Sequence, residues 1–250
     1  MVAALEVRDL HKSFGTQRVL RGVSLRVPAG TTCVILGGSG SGKTVLLKHL
    51  IGLMRPDSGQ VLVEGEDLVP LSPAQLAVVR RKFGMVFQAA ALFDSMSVYE
   101  NVAFPLREHT KLSEAEIRER VHARLALVGL SGVDDRFPAE LSGGMRKRVG
   151  LARAVVLDPR IVLYDEPTTG LDPISTDAVD GLINTARREL GVTSVVISHD
   201  VGAAFEVADQ VCFLHEGVIA DRGTPAELRQ SAHPAVQAFL QTWFGKDVRP

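Results

Sequence analysis

Residues 5–9 and 19–27 alternate apolar and polar side chains, a period of two that predicts half-exposed antiparallel strands. Later runs break this alternation. Residues 32–36, 83–87, 161–164 and 193–197 are apolar almost throughout, which suits strands buried in the core of the fold. Between them the period lengthens. Val45, Leu46, Leu47, Leu50 and Ile51 follow one buried run as a helix, and a polar helix is expected from about 73 to 82. Residues 89–140 lose strand-like alternation: Ser113 and Glu116 are spaced as a capping box, and Ile117, Val121, Leu125 and Val128 recur at helical intervals. Further helices are expected after residues 141–145, after Asp172 and over 234–244, with a hairpin from 211–214 and 217–220. The pattern predicts one α/β domain over 1–250, with an antiparallel β part at its start. Residues 1–88 and 158–250 form its core and 89–157 an inserted helical lobe.

The composition narrows the function classes. With 250 residues, 46% of them hydrophobic, the chain can bury a large core, which excludes general disorder. A formal charge of −1 gives no general attraction to nucleic acid, and the basic clusters at 80–82 and 146–148 are expected to be solvated helix faces. Cys33 and Cys212 lie in apolar runs and read as small core residues in a reducing cytoplasm. Residues 1–8 lack the features of a signal peptide, and no apolar run reaches membrane-spanning length. Any membrane role is therefore expected to come through a partner.

The chemistry centres on Gly37, Gly38, Ser39, Gly40, Ser41, Gly42, Lys43 and Thr44, which fit G-x-x-x-x-G-K-[ST] between a strand and a helix. Glycines let backbone N–H groups turn toward phosphate oxygens, and the helix adds the positive end of its dipole. Lys43 is then expected to reach the β- and γ-phosphates of a nucleotide, and the Thr44 hydroxyl to ligate Mg²⁺. Given this loop, Phe14 becomes a face on which adenine can stack. Asp165 and Glu166 end an apolar strand, a position suited to Mg²⁺ for Asp165 and to an attacking water for Glu166. Gln88 leaves another buried strand, and His199 follows a third, where it can donate to the γ-phosphate or face solvent. Ser142 can cap a helix, but Gly143 and Gly144 behind it suggest an anion approaching closely. Asp172 before Pro173 reads as ordinary helix initiation. Residues 98–106 carry more apolar groups than a loop requires, through packing within the lobe or as a groove for a partner helix.

In this order the motifs resemble the nucleotide-binding subunit of ATP-binding cassette (ABC) transporters: the P-loop at 37–44, the Q-loop Gln88, the signature Leu141-Ser142-Gly143-Gly144-Met145, the Walker B pair Asp165 and Glu166, the D-loop Asp172 and the switch histidine His199. The resemblance covers essentially the whole chain. It implies a P-loop NTPase fold of ABC type, with a RecA-like core, that binds ATP and Mg²⁺ and hydrolyses ATP for transport. It further implies a homodimer in which Ser142, Gly143 and Gly144 of one subunit contact the ATP held by the other. Glu166 would be the general base, His199 the γ-phosphate sensor, Gln88 a link from the metal site to the lobe, and Asp172 a link between the two ATP sites. The lobe would receive a coupling helix of an integral membrane permease at the cytoplasmic face of the inner membrane.

Residues 88–110 and Met145 are similar to the Mla and Mce branch, whose transporters move phospholipids and other lipids across the envelope of diderm bacteria. That branch implies an Mla/Mce-type permease, with an MCE-domain protein and a STAS-domain protein as further members of the complex. Gly38 and Phe14 depart from the frequent Pro and Tyr of the family. The sequence ends at Pro250, short of the tail with which some Mla-type subunits clasp their twin, which leaves clasping and the STAS contact open. The alternatives are an ABC ATPase for another cargo, such as an amino acid or ion, and a soluble ABC ATPase outside transport. No nucleic-acid partner is expected.

Overall fold

The computed structural model describes residues 3–245. In chain order its elements are β1 (Ala3–Phe14), β2 (Gln17–Pro28), β3 (Thr32–Leu36), α1 (Lys43–Leu50), β4 (Ser58–Val63), β5 (Glu66–Asp67), α2 (Pro73–Arg80), β6 (Phe83–Val86), α3 (Val98–His109), α4 (Glu114–Leu127), α5 (Gly143–Val155), β7 (Ile161–Asp165), α6 (Pro173–Leu190), β8 (Thr193–Ser198), α7 (Val201–Val207), β9 (Gln210–His215), β10 (Val218–Gly223), α8 (Pro225–Arg229) and α9 (Pro234–Phe244). They fall into two compact units: residues up to Arg80 together with those from Thr193 onward, and Arg81–Val192.

The first unit holds an antiparallel sheet in the order β2-β1-β4-β5. Its alternation works largely as the sequence implies, with Leu5, Val7, Leu20, Val23, Leu25, Val61 and Val63 buried and, Ala4 apart, their neighbours at least partly exposed. The same unit holds β3 and β8 in parallel, with β9 parallel on the other side of β3 and β10 closing the hairpin. Every residue of β3 and β8 is buried, as the apolar runs require of strands covered on both faces. Helices α1 and α7 pack on these strands. Cys33 and Cys212 are buried on adjacent strands as free thiols, their Sγ atoms 3.9 Å apart.

In the second unit β6 and β7 pair in parallel, and α5 packs against β6, α3, α4 and α6. Ser97 and Ser113 open α3 and α4 with reciprocal capping boxes, which satisfy backbone N–H groups that a helix start leaves unpaired. The apolar residues of 98–106 are largely consumed here. Val98, Val102, Ala103 and Leu106 are fully buried inside the lobe, so the packing reading accounts for them.

Candidate nucleotide site

In the first unit the register of β3 against β8 pairs Leu36 with Ser198, so Gly37 and His199 leave the sheet at the same edge. That edge is the carboxyl end of parallel strands, where sheets of this kind bind ligands. The loop after β3 is held by its own lysine. Lys43, the first residue of α1, is buried and its Nζ donates to the carbonyls of Gly37 at 2.8 Å and Gly38 at 3.0 Å. Gly42 caps the helix with φ +105°, a left-handed conformation that side chains resist. Gly37 is required for a different reason: a Cβ there would lie 2.3 Å from the Leu214 carbonyl oxygen.

These residues fit a phosphate group. The Ser41 hydroxyl is buried beside Lys43 without a hydrogen-bond partner, a cost that an incoming anion would relieve. Ser39, Gly40 and Thr44 are exposed at the loop's rim. Phe14 ends β1 with 47% of its surface exposed, and the Lys12 ammonium lies 5.7 Å from the ring centre, anchored by Asp57 and the Arg55 carbonyl.

In the second unit β6 and β7 bring Gln88 and Asp165 to one edge, since Val86 pairs with Tyr164. Gln88 is exposed at the start of a turn in which Ala90 and Ala91 take φ of +61° and +48°. That turn is braced by two residues absent from the sequence expectations. Arg153 of α5 donates to the carbonyls of Ala90 and Ala91 at 2.9 and 2.8 Å and to the Asn101 side chain at 3.3 Å. Asn101, fully buried on α3, exchanges hydrogen bonds with the Phe93 backbone and donates to Met96 and Ser97.

Glu166 follows Asp165 with φ +47° and accepts a 3.1 Å hydrogen bond from the Thr169 hydroxyl. Asp172 caps α6 as expected, and the Ser175 hydroxyl and backbone N–H hold its carboxyl below the usual carboxylate range. Ser142 caps α5 through the Met145 N–H at 3.3 Å. Gly143 and Gly144 lie beside Leu171 and Ser175, so within this unit the start of α5 adjoins the start of α6.

Within each basic cluster one residue corrects the expectation of a solvated face, while Arg81 is exposed and Lys82 and Arg148 are half-exposed. Arg80 donates to the carbonyls of Ile51 and Gly52, closing the turn after α1. Lys147 is buried, with its Nζ on the carbonyls of Pro167 and Thr169. Nothing in a run of Arg-Lys-Arg distinguishes the middle residue, because its partners are remote in sequence.

A glycine loop clamped by a helix-opening lysine, an acid pair ending a buried strand and a serine-capped glycine helix define a nucleotide-hydrolysing cassette, and the chain belongs to the ABC transporter family, whose model matches residues 20–169. It is 48% identical over 250 residues to the probable ribonucleotide transport ATP-binding protein mkl of Mycobacterium leprae, spanning all of this chain and 71% of that protein. It is 42% identical over 237 residues to the intermembrane phospholipid transport system ATP-binding protein MlaF of Haemophilus influenzae, spanning 95% of this chain and 90% of that one. Among solved structures, the ATP-binding cassette MJ0796, a dimer in a post-hydrolysis state bound to ADP and Pi, superposes with a TM-score of 0.80 at 30% identity, covering 88% of this chain and 98% of the other. The chain is thus an ABC transporter ATPase subunit, which hydrolyses ATP to drive transport. Among the described residues no helix is long and apolar enough to cross a membrane.

Proposed function

We propose that this ATPase powers phospholipid transport in a complex of Mla/Mce type, docked on a permease at the cytoplasmic face of the inner membrane. The observation that carries the cargo is the 42% identity to a phospholipid-transport cassette over nearly the whole of both chains, with the similarity of residues 88–110 to the same branch beside it. The helical lobe, 89–157, would receive the permease, and an MCE-domain protein and a STAS-domain protein are further candidate members.

Residues 37–44 would hold the phosphates of ATP, with Lys43 and the Ser41 hydroxyl against them and Phe14 against the base. Thr44, Asp165 and Gln88 would hold Mg²⁺. When bound, Mg²⁺ supplies charge neutralisation on the phosphate oxygens. Glu166 would take the proton of the attacking water, and His199 would donate toward the γ-phosphate. The dimeric relative supports a homodimer in which Ser142, Gly143 and Gly144 serve the partner's ATP and Asp172 joins the two sites.

The relative named for ribonucleotide transport, at 48% identity, favours a second reading: the same motor with another cargo. Purification of the chain from native membranes in mild detergent, with identification of co-purifying proteins and lipids, decides between them. An Mla-type permease with bound phospholipid supports the lipid cargo. A different permease, or one without phospholipid, refutes it.

A further inference from the structure

Glu166 sits on a backbone that would not hold itself. Its φ of +47° is a left-handed conformation that is unfavourable for a non-glycine residue, and it persists only where neighbours over-determine it. Local bonds supply part of that restraint. The Thr169 N–H donates to the Glu166 carbonyl at 3.3 Å, the Thr169 hydroxyl to the Glu166 carboxylate at 3.1 Å, and the Leu171 N–H to the Thr168 carbonyl at 3.1 Å. A further restraint reaches the turn from α5.

Lys147 lies in the second turn of α5, buried, with its ammonium on the carbonyls of Pro167 and Thr169. Those two carbonyls bracket the turn that follows Glu166. Withdrawing an ammonium from water is costly, and burial does push the Lys147 pKa down, while the Glu166 charge pushes it back up. A neutral side chain of similar length would fill the same space without that cost. What the ammonium adds is several donors from one atom and a positive charge facing the carboxylate.

We infer that Lys147 is a positioning residue for Glu166, an ammonium clamp that fixes the turn at 167–169 and so aims the carboxylate from α5. The inference rests on the reading of Glu166 as the base. It also gives α5 a second duty: the helix that begins at Ser142 and Gly143 carries the clamp for its own chain's carboxylate one turn further on.

The test uses the full chain purified with the membrane partners it brings from native membranes, and four variants: Lys147→Met, Lys147→Arg, Glu166→Gln and the Lys147→Met/Glu166→Gln pair. Lys147→Met is expected to lower kcat by about 10- to 100-fold, the range for a misplaced catalytic group, with KM for ATP within about twofold of the parent. Lys147→Arg, which keeps charge and donors, should return part of the lost kcat. In the Glu166→Gln background the Met substitution should remove nothing further, because both changes act through one carboxylate. An unchanged kcat in Lys147→Met, a KM that rises as kcat falls, or Lys147→Arg no better than Met overturns the clamp. If Lys147→Met fails to fold, judged by thermal unfolding, Lys147→Gln is measured against the same criteria. Full turnover in Glu166→Gln would instead remove the base reading, a separate failure.

Discussion

The two lysines buried among the described residues, Lys43 and Lys147, do the same local chemistry in different units of the chain. Each directs its ammonium to two backbone carbonyls from the first turns of a helix. They differ in reach. Lys43 bonds carbonyls six and five residues before it, closing its own loop, whereas Lys147 bonds carbonyls 20 and 22 residues after it. The first shapes a pocket for an anion; the second ties a helix to the turn that carries an acid. On the proposed reading, one lysine would govern whether ATP is held and the other how well a held ATP is cleaved.

The largest expected effect tests that division. Lys43→Met removes the loop clamp and, on the proposed reading, charged hydrogen bonds to two phosphates, so ATP affinity should fall by about 100-fold or more, and turnover with it. Glu166→Gln should leave ATP binding within about twofold and lower turnover by about 100-fold or more, the scale of a lost general base. Equilibrium binding of a fluorescent ATP analogue, read beside steady-state hydrolysis, separates the two. Loss of binding in Glu166→Gln, or retained turnover in either variant, breaks the comparison.

A smaller effect comes from crowding each unit near its clamp. A Cβ on Gly37 would lie 2.3 Å from the Leu214 oxygen, and one on Gly84 would lie 2.3 Å from the Ala154 oxygen of α5. Neither backbone can yield without moving an element, so Gly37→Ala and Gly84→Ala should each cost about 1–3 kcal/mol in denaturant unfolding. Their functional signatures should diverge. Gly37→Ala strikes the phosphate loop and weakens ATP binding; Gly84→Ala pushes on the helix that bears Lys147 and slows turnover at unchanged affinity.

The contrast in reach also explains what could be read without coordinates. Lys43 is legible because its partners are its neighbours: a glycine loop, a lysine and a helix leave a fixed spacing. That Gly37, His199, Gln88 and Asp165 each stand at the end of a buried apolar run is also legible, whereas the registers that pair Leu36 with Ser198 and Val86 with Tyr164 are not. Lys147, Arg153 and Asn101 are not legible, because their partners are carbonyls, which every residue type presents. The same limit applies to residues 98–106, whose helical spacing of apolar groups is compatible with an inner or an outer face until α4 and α5 are seen to cover it.

The gentlest perturbation is a change of pH, and it too should act on one unit. His49, in the helix that Lys43 opens, is buried; its Nδ1 donates to the Val45 carbonyl at 2.7 Å, which leaves Nε2 as a buried acceptor with no partner. Protonating Nε2 would bury a charge. Burial lowers the His49 pKa from 6.5 and the nearby Lys12 charge acts in the same direction, while the backbone of Val45 and Arg55 and the Asp57 charge oppose them without reversing the shift. The unfolded chain therefore binds this proton at a higher pH than the folded chain does. Stability carried by neutral His49 is complete above pH 6.5 and is lost as pH falls below that value. Hydrogen exchange should show α1 losing protection between about pH 7.5 and pH 5 more than α5 does, and His49→Gln should reduce the difference. Equal loss in both helices, or a slope unchanged by the substitution, would mean that acid sensitivity is not seated behind the phosphate loop.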